Sequence, residues 1–157
     1  MSIERIILAV VLFVATLPAL AGLNIQHWSL PRGGEVYFVE NHDLPMIDIS
    51  VDFSAGSARD DRARSGLAAM TNRMLTLGAG PWSEQQIAER LAEVGANLGG
   101  RFDQDRGGLT LRTLSSPAER SVAFDTLRAS TTSSKRGEEV PAQGVVGIDE
   151  VARNVEK

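Results

Sequence analysis

The sequence predicts an α+β fold, a mixed, mostly antiparallel sheet with helices packed on one face, in the order β-β-β-α-α-β-β-α. Three observations carry this expectation. Apolar and polar residues alternate over short runs at 25–30, 35–40 and 46–55. Helical periodicity replaces the alternation at 65–80, 83–95 and 116–129. Two more runs, at 97–103 and 107–114, flank the polar triplet Gln104-Asp105-Arg106 and read as an antiparallel pair.

The chain has 157 residues, a net charge of −4 and no cysteine, so one domain is expected and disulfides and thiolate metal sites are excluded. Nothing in this balance suggests a nucleic-acid surface, which wants a basic patch with aromatics. Residues 1–21 read as a secretory signal peptide. Arg5 supplies a short charged region, residues 6–17 an apolar core, and Ala19-Leu20-Ala21 the small-residue pattern that signal peptidase reads. Cleavage after Ala21 places the mature chain in a bacterial periplasm or outside the cell. The alternative is an uncleaved anchor, for which the apolar run is short, so no stable membrane span is expected after cleavage.

The domain is expected over residues 22–129. It opens with a hairpin whose strands flank the turn Pro31-Arg32-Gly33-Gly34. In the third strand Ile47, Ile49, Val51 and Phe53 alternate with Asp48, Ser50 and Asp52, giving one covered and one wet face. The run Arg59-Asp60-Asp61-Arg62-Ala63-Arg64 is mixed in sign and reads as a solvated loop.

One helix is expected over residues 65–80, opened by Ser65-Gly66 and closed by Gly78 and Gly80. Leu67, Met70, Met74 and Leu77 share a face, which is taken as the core face. The second helix has Ser83 as N-cap and Gln86 as its capping-box partner. It buries Ile87, Leu91 and Val94 and stops at Gly95. The third has Ser116 as N-cap and Pro117 at the first helical position, with Val122, Phe124 and Leu127 buried. Residues 130–157 read as a polar tail, non-homologous or disordered, with a weak helical pattern at 148–155. Truncation or a shifted reading frame after Ala129 would also produce such a tail.

Gly66-Leu67-Ala68, Met74-Leu75 and Gly78 form a frame, and Ala55-Gly56-Ser57 precedes it. On these residues the sequence, from about Leu23 to Ala129, resembles the insulinase/pitrilysin family of metallopeptidases, the inverzincins. Their helix carries H-x-x-E-H. Here Ala69 stands for the first His, Asn72 for the Glu and Arg73 for the second His. The resemblance therefore implies a degenerate member of a zinc peptidase family, with no catalytic residue, no metal ligand and no cofactor at these positions. The chemistry agrees. Ala69 has no donor atom, Arg73 is permanently cationic and offers no lone pair, and Asn72 has no titratable proton with which to activate water.

Other candidates are weaker. His27 and His42, the only histidines, lie on and just after the hairpin, and two ligands without a third make at best a weak metal site. Ser54, Ser57 and Ser65 have no adjacent base and no nucleophile elbow. Gly99-Gly100 and Gly107-Gly108 read as turn glycines, not a phosphate cradle. Glu150, downstream of the motif, lies in the polar tail.

The resemblance implies a zinc-free subunit that partners a catalytic homologue carrying H-x-x-E-H and helps to hold an extended peptide substrate. The alternatives are an active zinc metalloendopeptidase with unorthodox ligands, for which Asp60 and Asp61 are the nearest carboxylates, a purely structural scaffold subunit, and a truncated fragment without function.

Overall fold

A computed structural model gives the fold and describes residues 3, 24–31 and 33–132. The expected signal peptide, save Ile3, and the tail beyond residue 132, with Glu150 and the helical pattern at 148–155, lie outside the described residues.

The elements run β1 (Ile25–Ser29), β2 (Glu35–Val39), β3 (Met46–Phe53), α1 (Leu67–Met74), β4 (Gly78–Ala79), β5 (Trp82–Ser83), α2 (Glu84–Glu93), β6 (Asn97–Phe102), β7 (Gly107–Leu114) and α3 (Pro117–Thr132). This is the expected order with one addition, the two-residue pair β4–β5. All pairings among the described residues are antiparallel. Among the described residues the strands do not form one continuous sheet: β1 pairs with β2 alone, and β3, β7 and β6 form a three-stranded sheet with β7 in the middle.

The central sheet has the two faces its alternation dictates. Leu109 and Leu111 of β7 are fully buried and pack with Ile87 and Leu91 of α2 and with Phe124 and Leu127 of α3. Ile47, Ile49 and Val51 of β3 close this core from the side. On the wet face, Asp48 takes a two-pronged contact from Arg112 across the strand pair, at 2.6 and 2.9 Å. Arg101 of β6 lies 3.6 Å from Asp52 and donates to Ser50 at 3.3 Å. The aspartates of this face are thus bound by arginines of β7 and β6. Phe53 lies at the end of β3 and stays more exposed than the pattern predicts.

Local signals set the ends of α2. Ser83 and Gln86 form both halves of the capping box. Gly95 takes a φ of +63°, a left-handed turn that only glycine adopts without strain. The Arg90 guanidinium sits 4.2 Å above the Trp82 ring, joining the helix to β5.

α3 runs three residues past Ala129, and Ser130 is fully buried. Its serine and threonine side chains hide the last turn of the helix in the sequence. Thr126, Thr131 and Thr132 bond back to carbonyls one turn earlier, which lets hydroxyl residues continue a helix. Val122 is only half-buried, and Ala123 takes the core position beside it.

Candidate functional site

The helix α1 is shorter than expected and is seated the other way round. It ends at Met74, and the next three N–H groups bond three residues back, so the chain tightens and leaves the helix. Gly78 then enters the β4–β5 bridge instead of capping a helix. The inner face of α1 carries Ala68, Asn72 and Leu75, which are buried or half-buried. Leu67, Met70, Met74 and Leu77, expected in the core, are 52, 61, 61 and 41% exposed.

Glycines on the opposing strands explain this seating. Gly99-Gly100 and Gly107-Gly108 lie within β6 and β7, not in turns. A Cβ on Gly100 would come 3.1 Å from the Asn72 side-chain oxygen, and one on Gly107 would come 3.4 Å from its nitrogen. Without those carbons the helix approaches the sheet closely, so its small and polar side packs inward. Asn72, 7% exposed, donates its Nδ2 hydrogen to the Gly108 carbonyl at 2.9 Å. The residue where a general base is expected is therefore a buried amide that ties helix to strand. Ala69 and Arg73 are exposed on the flank of the helix. The Arg73 side chain has no ion-pair or hydrogen-bond partner among the described residues.

The N-terminus of α1 is held by Asp60. Its two carboxylate oxygens accept the N–H groups of Gly66 at 2.8 Å and Ala68 at 2.9 Å. These are helix-end donors without intrahelical partners, and a carboxylate there is also favoured by the helix dipole. The expected solvated loop is thus two short 3₁₀ turns, Ser57–Arg59 and Arg62–Arg64, with a half-buried capping residue between them. Sequence reasoning missed this cap because the aspartate precedes its helix by a whole turn of loop.

The loop itself is pinned beneath the β6–β7 turn. Gly56, Ser57 and Ala58 donate their N–H groups to the carbonyls of Asp105, Asp103 and Gln104, at 3.2, 3.3 and 2.8 Å. Gly56 is buried, and a Cβ there would fall 2.3 Å from the Gln104 carbonyl oxygen. The Asp103 carboxylate braces the turn by accepting the N–H groups of Arg106 at 2.7 Å and Asp105 at 2.8 Å. These bonds hold its carboxyl below the usual range.

His27 and His42 each bind a glutamate of their own. The His27 ring stacks on Tyr37, with centroids 4.6 Å apart, and its Nε2 lies 2.5 Å from Glu35. Glu35 also accepts from the Ser29 hydroxyl, and both contacts lower its carboxyl. His42 lies 2.8 Å from Glu40. Among the described residues no group of three or more His, Cys, Asp or Glu is placed to hold a metal ion.

The insulinase family, peptidase family M16, matches residues 36–138, more than half of the chain. The chain belongs to this family. The match starts later than the resemblance read from Leu23 and continues past Ala129. Solved M16-like structures share the fold. A peptidase M16 inactive domain from Pseudomonas fluorescens is 35% identical, with a TM-score of 0.67 over 71% of this chain and 27% of that one. Pitrilysin is 21% identical, with a TM-score of 0.60 over 73% of this chain and 12% of that one. A protease from Helicobacter pylori is 14% identical, with a TM-score of 0.62 over 71% and 26%. This M16 chain thus spans about a quarter or less of the length of each. No curated protein matches it.

The catalytic zinc of M16 peptidases does not fit the motif helix of this chain. Ala69 presents a methyl group, Arg73 a cation, and the Asn72 amide hydrogen is already given to Gly108.

Proposed function

We propose that this chain is a non-catalytic M16 peptidase homologue, the zinc-free partner of a periplasmic chain that carries the intact H-x-x-E-H. The observation that carries this reading is the Asn72–Gly108 hydrogen bond. An acidic general base must reach water and substrate, whereas this position has become a buried structural amide. The inactive M16 domain of Pseudomonas fluorescens, 35% identical, supports the same reading.

In this role the chain contributes surface, not chemistry. β6 is an edge of the central sheet, beside α1, and an extended peptide can add to such an edge through backbone hydrogen bonds. Arg73, exposed on the flank of α1, offers a cation to a carboxylate of the bound peptide. The alternative of an active enzyme with unorthodox ligands loses its nearest carboxylate, because both oxygens of Asp60 serve backbone donors of α1.

Purification of the chain from its native envelope tests the proposal. A stoichiometric partner with H-x-x-E-H, and peptidase activity only in the pair, is the expected result. A chain that runs alone, or a pair whose peptide binding is indifferent to this subunit, sinks the partner reading and leaves a scaffold or an inert fragment.

A further inference from the structure

The described arginines divide into two groups. Outside residues 57–80 each one is engaged. Arg101, Arg106 and Arg112 pair with Asp52, Asp103 and Asp48, Arg90 lies over the Trp82 ring, and Arg120 and Arg128 also have partners. The other four, Arg59, Arg62, Arg64 and Arg73, are exposed, and their side chains have no hydrogen bond or ion pair among the described residues. All four stand on α1 or on the loop that leads into it. The rest of the body is acidic. Outside residues 57–80 the described chain carries six arginines and no lysine against twelve carboxylates. Within that stretch the only acids are Asp60 and Asp61, and both oxygens of Asp60 are held by the N–H groups of Gly66 and Ala68. Uncommitted positive charge is therefore gathered at the motif helix of an otherwise acidic protein.

We propose that this surface selects acidic peptides, with carboxylates a few residues apart on an extended chain. The inference rests on the peptide-holding role proposed above and names the kind of peptide held. A guanidinium takes a carboxylate with two parallel hydrogen bonds, a geometry that a point charge does not impose. Arg73 lies about 9 Å along the axis of α1 from Leu67, a span of about three residues of extended peptide. One strand laid beside β6 can thus meet both Arg73 and the arginines of the loop. The end of α1 is not itself the anion site, because Asp60 already fills it. Exposed Asp61 stands between Arg59 and Arg62 and would repel a continuous anionic layer such as a lipid surface, whereas separate carboxylates can avoid it. Each exposed pair is weak and screened by salt, so the selection comes from their sum.

The test uses the purified full chain and labelled peptides of equal length, in which threonine alternates with glutamate, glutamine or lysine. Fluorescence anisotropy reads their affinities. The glutamate peptide is expected to bind about tenfold more tightly than the glutamine peptide at low salt, and the lysine peptide more weakly than either. The preference shrinks as salt rises. Arg73→Gln and Arg62→Gln each reduce it several-fold. Ala118→Glu, which changes the net charge by the same amount at an exposed position on α3, leaves it as it was. Equal affinities, no binding of any peptide, or an equal loss in Ala118→Glu overturns the proposal. Tighter binding to phosphatidylglycerol vesicles than to the glutamate peptide also overturns it and assigns the arginines to a membrane surface. Failure here is distinct from failure of the partner reading. A zinc-bearing partner that co-purifies with a chain lacking the preference removes this inference alone, and a chain that runs alone with the preference intact removes the partner alone.

Discussion

Asn72 reaches from the middle of α1 to the carbonyl of Gly108 on the central strand of the sheet, a 2.9 Å hydrogen bond between residues 36 apart in sequence. The bond is buried, so its loss leaves a carbonyl without water to replace the partner. Asn72→Ala is expected to cost about 1–3 kcal/mol of stability, read as a lower urea midpoint with an unchanged slope.

Asn72→Glu, which restores the family's acidic residue, is expected to destabilise the chain at least as much as Asn72→Ala. The carboxylate is an acceptor facing an acceptor in a buried place, so burial raises its pKa. The sign follows. A buried carboxyl with a raised pKa is tolerated when protonated, so the deficit shrinks as pH falls through that pKa and is full above it. Urea midpoints of Asn72→Glu relative to wild type, taken at several pH values, check this. A deficit that grows in acid contradicts it.

Gly56 has no room for a side chain. Gly56→Ala would put a carbon 2.3 Å from the Gln104 carbonyl, and the neighbour is backbone, which cannot swing aside. The expected cost is about 1–3 kcal/mol, with amide exchange accelerated in both the 55–58 loop and the 103–105 turn. A wild-type melting curve would show that the loop is not pinned as described.

Much of this architecture is legible locally. The Ser83–Gln86 capping box, the Gly95 stop and the strands around Gln104-Asp105-Arg106 each depend on residues close in sequence, and each stands where local rules place it. The seating of α1 is different. Periodicity shows that Leu67, Met70, Met74 and Leu77 share a face but not which way that face points. The direction is set by Gly100 and Gly107, some thirty residues away, which admit Asn72. That Ala69, Asn72 and Arg73 depart from the family motif is legible in the sequence. The hydrogen bond of Asn72 is not, since no local rule pairs it with Gly108.

Asp60 caps a helix from outside it. Asp60→Ala is expected to cost about 0.5–2 kcal/mol, with amide exchange fastest at Gly66 and Ala68. Uniform exchange along α1 would show that the cap does not hold its end.

Asp103 carries a pH dependence of known sign. Its folded carboxyl is lowered from an ordinary value of 3.8, first by the Arg106 N–H and then by that of Asp105. The stability it contributes is therefore present above that ordinary value and is lost as pH falls through the lower, folded one. In Asp103→Asn, the acid-side decline in stability is expected to be shallower than in wild type. Parallel declines in the two proteins would contradict this.

The proposed function requires that the motif helix pack through Asn72 and hold no catalytic zinc. Elemental analysis of the purified chain after equilibration with zinc tests that directly. The prediction is no stoichiometric zinc, with Asn72→Ala changing stability and leaving the metal content as it was. One zinc per chain, lost on substitution at Asn72 or Asp60, would contradict it and return the chain to the catalytic members of the family.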